Sequence, residues 1–262
     1  MQNVKCKTCV TNNDLCVEKG YFKFYILYFR FYIYSNIFRM KKSIVLLLFL
    51  LSTSIVFCQI KVACIGNSIT FGHGLKREET YPAQLQKILG DEWNVQNFGV
   101  SGRTLLRNGD YPYVKEKAYT DAKAFAPDVV LIKLGTNDAK PQNWKFEKEF
   151  TADYSAMIEE LQALPSKPLI ILCLPVPAYG INFNINDSIV NHQLVFKVTD
   201  VASLKKLQLI DLHKPLSNHP EWFPDKIHPN AAGAEEMAKV IAKKLKSNRK
   251  KINKRKRKLA KR

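Results

Sequence analysis

Five short apolar runs recur along this chain, and their spacing constrains the fold more than any other feature. Residues 60–65, 93–98, 129–134, 169–174 and 207–212 each have the length of a buried strand. Between them lie amphipathic or mixed stretches at 82–89, 113–125, 150–164 and 187–205. A closing helix is predicted from about 230 to 246, with Ala234, Met237, Ala238, Ile241, Ala242 and Leu245 at helical spacing. Pro82, Pro127 and Pro168 punctuate the starts of elements. Strands alternating with helices predict an α/β fold with a mainly parallel five-stranded sheet, in one domain covering 60–246.

Charge separates the ends from this core. The 262 residues carry a net charge of +18, of which +13 lies in 243–262 and +6 in 1–42, so that 43–242 is close to neutral. That distribution excludes a globally basic nucleic-acid-binding fold. It predicts a basic disordered tail over 247–262. The run Lys254-Arg255-Lys256-Arg257-Lys258 has no stacking aromatics beside it, so no specific nucleic acid is expected there, only salt-sensitive contact with anionic polymers or a membrane surface. At the other end, Met40-Lys41-Lys42-Ser43 precedes an apolar run at 44–57, the pattern of a secretory signal peptide. We therefore expect 1–39 to be an upstream extension, 40–58 a signal, and the product to be exported, periplasmic or extracellular. The alternative is a membrane anchor through 21–57, although the apolar run alone falls short of the ~20 residues of a spanning helix. Cys64 and Cys173 lie inside strand-like runs and are expected to be buried free thiols.

In parallel sheets the chemistry collects beyond the carboxyl ends of the strands. Gly66-Asn67-Ser68-Ile69-Thr70 follows the first run, Gly99-Val100-Ser101-Gly102-Arg103-Thr104 the second, and Gly135-Thr136-Asn137-Asp138 the third; Asp225-Lys226-Ile227-His228-Pro229 precedes the closing helix. A serine hydroxyl becomes a nucleophile when a base takes its proton, and the base needs a third group to fix its tautomer. Asp225 and His228, three apart in a turn, suit the orienting and base roles, with Nε2 left for Ser68. The Ser68 N–H, the Gly102 N–H and the Asn137 amide are three candidate oxyanion donors. Taken singly, each has a plainer reading: Ser68 as a helix cap, Gly102 as turn punctuation, Asn137 as an Asx turn, His228 as one of five histidines. The full set in order is what separates the two readings.

With these blocks the chain resembles the SGNH (GDSL-like) hydrolase family over about 60–245. The resemblance implies Ser68 as nucleophile, Asp225 and His228 as the rest of a triad, and Ser68, Gly102 and Asn137 as the oxyanion hole. It also implies a flavodoxin-like three-layer α/β/α sandwich needing no cofactor. One departure is visible: Gly66-Asn67-Ser68-Ile69 stands where Gly-Asp-Ser-Leu is commoner. The stretches Asn97 to Thr104, Lys133 to Trp144 and Leu172 to Pro177 are similar to exported, sialate O-acetylesterase-like carbohydrate esterases. That similarity implies removal of short acyl groups from O-acetylated sialic acid or from plant or host glycans. The alternative is a GDSL-type lipase, lysophospholipase or thioesterase working on longer chains; an alternative of another class is a polyanion-binding protein working through the tail.

Other signatures fail. Thr70 stands where an α/β-hydrolase elbow needs glycine, no phosphate-binding Gly-x4-Gly-Lys loop exists, and Arg77 stands where the run from Gly72 would need its third dinucleotide-motif glycine. His213, His219 and His228 have no metal-ligand spacing with acids, so no metal is expected. Three further residues have two readings each. Trp144 stacks on a sugar ring or packs in the core, Arg103 meets a substrate carboxylate or pairs with a nearby acid, and Asn143 lines the leaving-group side or sits in a solvated loop.

Overall fold

A computed structural model describes residues 59–259 and the single position Tyr32. The expectations for 1–39 and for a signal at 40–58 lie outside the described residues, Tyr32 apart. The chain divides at Phe57 and Cys58, and the second unit is the one described below.

The five apolar runs form one sheet. Its strands are β1 (Ile60–Gly66), β2 (Trp93–Gly99), β3 (Val129–Lys133), β4 (Leu169–Cys173) and β5 (Gln208–Ile210). All pairs are parallel, in the order β2-β1-β3-β4-β5, with chain direction across the sheet reversing after β2. The helices are α1 (Ser68–Phe71), α2 (Tyr81–Leu89), α3 (Lys117–Ala124), α4 (Pro141–Trp144), α5 (Phe150–Ala163), α6 (Val195–Leu204) and α7 (Ala231–Leu259). A wide π-helical segment, Ile189–Leu194, leads into α6, so the amphipathic or mixed stretch at 187–205 holds two kinds of helix in series.

Alternation along the strands sorts the core into two layers. Val62 and Cys64 of β1, with Val129 and Leu131 of β3, join Leu85 of α2 and Met237, Ile241 and Leu245 of α7. Ala63 and Ile65, with Val130 and Ile132, join Tyr119 of α3, Tyr154 and Ile158 of α5 and Val198 of α6. The result is the three-layer α/β/α sandwich that the resemblance implies, around the parallel sheet that the alternation predicts. Cys64 and Cys173 are buried and unbridged.

The far end departs from the sequence reading. Residues 247–259 are not a disordered tail: α7 continues to Leu259. The helix runs on because its inward stripe does. Asn248 and Ile252 follow Ile241 and Leu245 at helical spacing and are buried, Ile252 being only 1% exposed. Asn248 exchanges two side-chain hydrogen bonds with Gln208 at 2.8 and 2.9 Å, next to β5. Part of the basic charge is also used. Lys256 Nζ lies 2.8 Å from Asp128, Arg249 pairs with Glu92 at 2.6 Å, and Arg255 donates to the carbonyl of Lys167. Ile252→Ala is therefore expected to cost about 2–5 kcal/mol in a urea unfolding measurement. A change below a few tenths of a kcal/mol would mean that the last turns are not docked.

Candidate active site

The end of β1 and the start of α1 form a tight elbow. A side chain at Gly66 would meet the Thr70 hydroxyl at 2.0 Å and the Lys133 carbonyl at 2.9 Å, so only glycine lets the helix fold back this closely. Asn67 caps α1 through its Oδ1, which accepts the Ile69 N–H at 3.2 Å. Ser68 is then the first residue of α1, and its N–H has no carbonyl one turn back to donate to.

His228 reaches Ser68 from the other end of the chain, with Nε2 2.8 Å from the Ser68 Oγ. Its Nδ1 lies 2.7 Å from Asp225 Oδ2. The carboxylate can only accept, so Nδ1 carries the proton and Nε2 is free to accept the serine's. The turn between them is fixed by its own backbone: Asp225 Oδ1 accepts the N–H groups of Ile227 and His228 at 2.9 and 2.7 Å. Lys226 takes up the reversal with a φ of +72°, a strained position for a residue with a side chain.

Electrostatics prepares the pair. Burial pushes the Asp225 carboxyl up, but the two N–H donors and the His228 ring together outweigh it and hold the group below its ordinary value. Burial lowers the His228 imidazole, and this exceeds the opposing pull of Asp225; His73 and Lys133 lower it further. A neutral, oriented imidazole against a serine hydroxyl can deprotonate it at near-neutral pH.

The second and third clusters are tied into one rim. Gly99 of β2 and Lys133 of β3 flank Gly66 in register. Gly102 has a φ of +82°. Asn137, in the turn after β3, donates through Nδ2 to the Arg103 carbonyl at 3.1 Å, beside Gly102. Asp138, fully buried, accepts the Leu105 and Leu106 N–H groups at 3.0 and 2.7 Å. Burial drives its carboxyl up to about 7 against those two donors. Asn67 Nδ2 and Ser101 Oγ, one residue before Ser68 and Gly102, are buried without a hydrogen-bond partner. Such unpaired groups are uncommon in native proteins.

The three residues with two readings all take the plainer one or a supporting one. Arg103 pairs with Glu116 at 2.8 Å and donates to the Ser101 carbonyl, so its charge is already met inside the protein. Trp144 is 9% exposed, packs against Phe150 and donates Nε1–H to Gln193. It is core, not a sugar platform. Asn143 is neither solvated nor facing the site: it is buried and donates to the Asn137 carbonyl and to Asp110 at 2.9 Å each, which fixes the turn that carries Asn137.

The sequence does not disclose the burial of Lys133 and Asp138 or the contact of His73 with His228. Lys133 is 1% exposed, with Nζ 3.4 Å from the Thr136 hydroxyl, and burial brings its amine down to about 7. A lysine inside the apolar run Val129-Val130-Leu131-Ile132-Lys133-Leu134 was the visible signal. His73 lies 4.4 Å from His228 between ring centres, in contact that no spacing rule discloses. Among the described residues, His73, Asp225 and His228 are the one grouping that could hold a metal ion, with ligand atoms within 4.8 Å of one another. Two of the three already share a 2.7 Å hydrogen bond, which a metal would have to displace.

Comparison with known proteins gives a family and a fold. Residues 64–236 match the model of the GDSL-like Lipase/Acylhydrolase family. An acetylxylan esterase of Xylanibacter ruminicola is 47% identical over 203 residues, covering 70% of this chain and 42% of that protein. The chain thus spans less than half the length of that curated relative. Among solved structures, an acetyl xylan esterase is 26% identical with a TM-score of 0.57, covering 70% of this chain and 98% of its own. A carbohydrate acetylesterase from Sinorhizobium meliloti superimposes with a TM-score of 0.59 at 18% identity, covering 72% and 99%, and so shares the fold.

The shifts of His228 carry a checkable consequence. In an NMR titration its ring should protonate below the ordinary histidine value of 6.5. Lys133→Met should move that midpoint upward, because removing a neighbouring cation makes the imidazolium easier to form. A midpoint above 6.5 in the unaltered protein, or a downward move in the variant, would contradict the assignment.

Proposed function

This chain belongs to the GDSL-like lipase/acylhydrolase family, and from that premise we propose that it is a serine esterase removing acetyl groups from carbohydrate. The observation that carries the proposal is the unbroken chain from Ser68 Oγ to His228 Nε2 at 2.8 Å and from His228 Nδ1 to Asp225 at 2.7 Å. In the reaction, Ser68 Oγ attacks the acetyl carbonyl while His228 takes its proton. The tetrahedral oxygen is met by the Ser68 and Gly102 N–H groups and the Asn137 amide. His228 returns the proton to the sugar oxygen, which departs and leaves an acetyl group on Ser68. Water, activated by the same imidazole, releases acetate and restores the serine.

A short acyl group is favoured by what surrounds the nucleophile. The loop at 176–187 is the segment from which a long-chain pocket would be built. Ile185 is buried in a small cluster of its own, and Tyr179 packs on Phe223 with its hydroxyl bonded to the Leu216 carbonyl. Both are thereby engaged inside the protein, which leaves Ile181 and Phe183 as the exposed apolar side chains of the loop. A neutral sugar is favoured over sialic acid because Arg103, the cation that a sugar carboxylate would seek, is paired with Glu116. The named activities of the acetylxylan esterases similar to this chain point the same way. We further propose that residues 40–58 direct export, which suits an enzyme acting on polymeric glycan. The exposed lysines and arginines of α7, among them Lys250, Lys251 and Arg257, favour salt-sensitive contact with anionic polymers as a secondary property.

Hydrolysis across a series of esters from acetyl to octanoyl and longer tests the reading. Acetyl esters should turn over fastest, with rate falling as the chain lengthens, and Ser68→Ala should abolish turnover on all of them. A maximum at about eight carbons would make the protein a lipase or thioesterase, and turnover surviving in Ser68→Ala would remove the serine from the mechanism.

A further inference from the structure

Phe183 is a large apolar side chain left 50% exposed beside the candidate base. Its ring lies 5.4 Å from that of His228 and 6.0 Å from that of His73, edge to face in both cases. Holding it there is costly. Phe183 and Asn184 are consecutive non-glycine residues in the left-handed region, with φ of +52° and +59°. For a side chain as large as that of Phe183 such a backbone is strained and persists only where the surroundings enforce it. The enforcement is visible. Asn182 accepts the Phe183 N–H at 2.8 Å and donates to the Asp225 carbonyl at 2.9 Å. Ile185 closes the turn onto the Asn182 carbonyl and packs with Ile227, the residue before His228. The strained turn is thus anchored to the Asp225–His228 segment itself, and the ring rides with the base.

The chemistry of ester cleavage says what belongs at that place. The departing alkoxide takes its proton from His228 Nε2, so the alcohol half of the substrate must lie on the His228 side, while the acyl oxygen points to Gly102 and Asn137. Beside His228 stand Phe183 and His73. We propose that these two residues form the subsite for the sugar ring that carries the acetyl group. The C–H-rich face of the ring stacks on Phe183, whose π face is electron-rich, and His73 hydrogen-bonds a sugar hydroxyl. The subsite rests on the reading of this centre as a carbohydrate acetylesterase. It assigns to the 176–187 loop the leaving group, not the acyl chain.

The test compares acetylated xylobiose with ethyl acetate, whose alcohol has no ring to stack. Phe183→Leu, which keeps apolar bulk but removes the aromatic face, and Phe183→Ala should each raise KM for acetylated xylobiose roughly three- to tenfold. In both variants kcat/KM for ethyl acetate should stay unchanged, and Phe183→Tyr should restore the sugar KM. His73→Ala should raise KM for acetylated xylobiose by a larger factor than KM for ethyl acetate. Equal losses on both esters would show that Phe183 only steadies His228, and no change on either would show that it has no part in binding; both results overturn the subsite. Unaltered protein that hydrolyses ethyl acetate but not the acetylated sugar overturns it as well. Unaltered protein that hydrolyses neither defeats the esterase reading beneath it.

Discussion

The hydrogen bond between Ser68 and His228 joins residues 160 positions apart, and no local element can make it. It closes only when β1 lies in the sheet with α1 folded back over its end, and when the turn before α7 is brought to the same rim. That turn is placed by α7, whose inward stripe of Met237, Ile241 and Leu245 packs against the face of the sheet that also buries Val62 and Cys64. The core is thus the device that sets a distance of 2.8 Å between a hydroxyl and an imidazole.

Around this contact the protein places polar groups where burial is expensive and then pairs most of them. Asp138 serves no reacting atom. It accepts two backbone N–H groups of the loop after Gly102 and so ties the Gly102 block to the Asn137 block. Asn143 does similar work from the other side by donating to the Asn137 carbonyl. Removing either would strand buried partners, each worth about 1–3 kcal/mol. Lys133 is different in kind. It is a buried amine with one weak contact, and it presses on the imidazole's protonation through space. Its effect runs with that of burial, toward a neutral base.

The strand–helix alternation was legible because a parallel sheet buried on both faces writes itself as short continuous apolar runs, and all five became strands. The blocks containing Ser68, Gly102, Asn137, Asp225 and His228 were legible because each follows a strand or precedes the last helix. What could not be read depends on partners distant in sequence. Nothing near Arg103 announces Glu116 as its counter-ion, and Trp144 is core because Phe150 and Gln193 happen to meet it. The end of α7 was misread for another reason. Lysines and arginines outnumber the few apolar residues of 247–262, so composition hides that Ile252, seven residues beyond Leu245, continues the buried stripe. The place of Phe183 beside His228 follows from a strained turn that spacing does not encode.

The central claim is that Ser68 is the nucleophile because His228 and Asp225 make it one. A fluorophosphonate reagent reacts with a serine only when it is activated in this way, and peptide mass spectrometry locates the adduct. The account predicts one adduct per chain, on Ser68, accumulating in step with the loss of acetate release from acetylated xylan. Acetate release that continues with Ser68 fully modified, or an adduct on another serine that accounts for the loss, would contradict it.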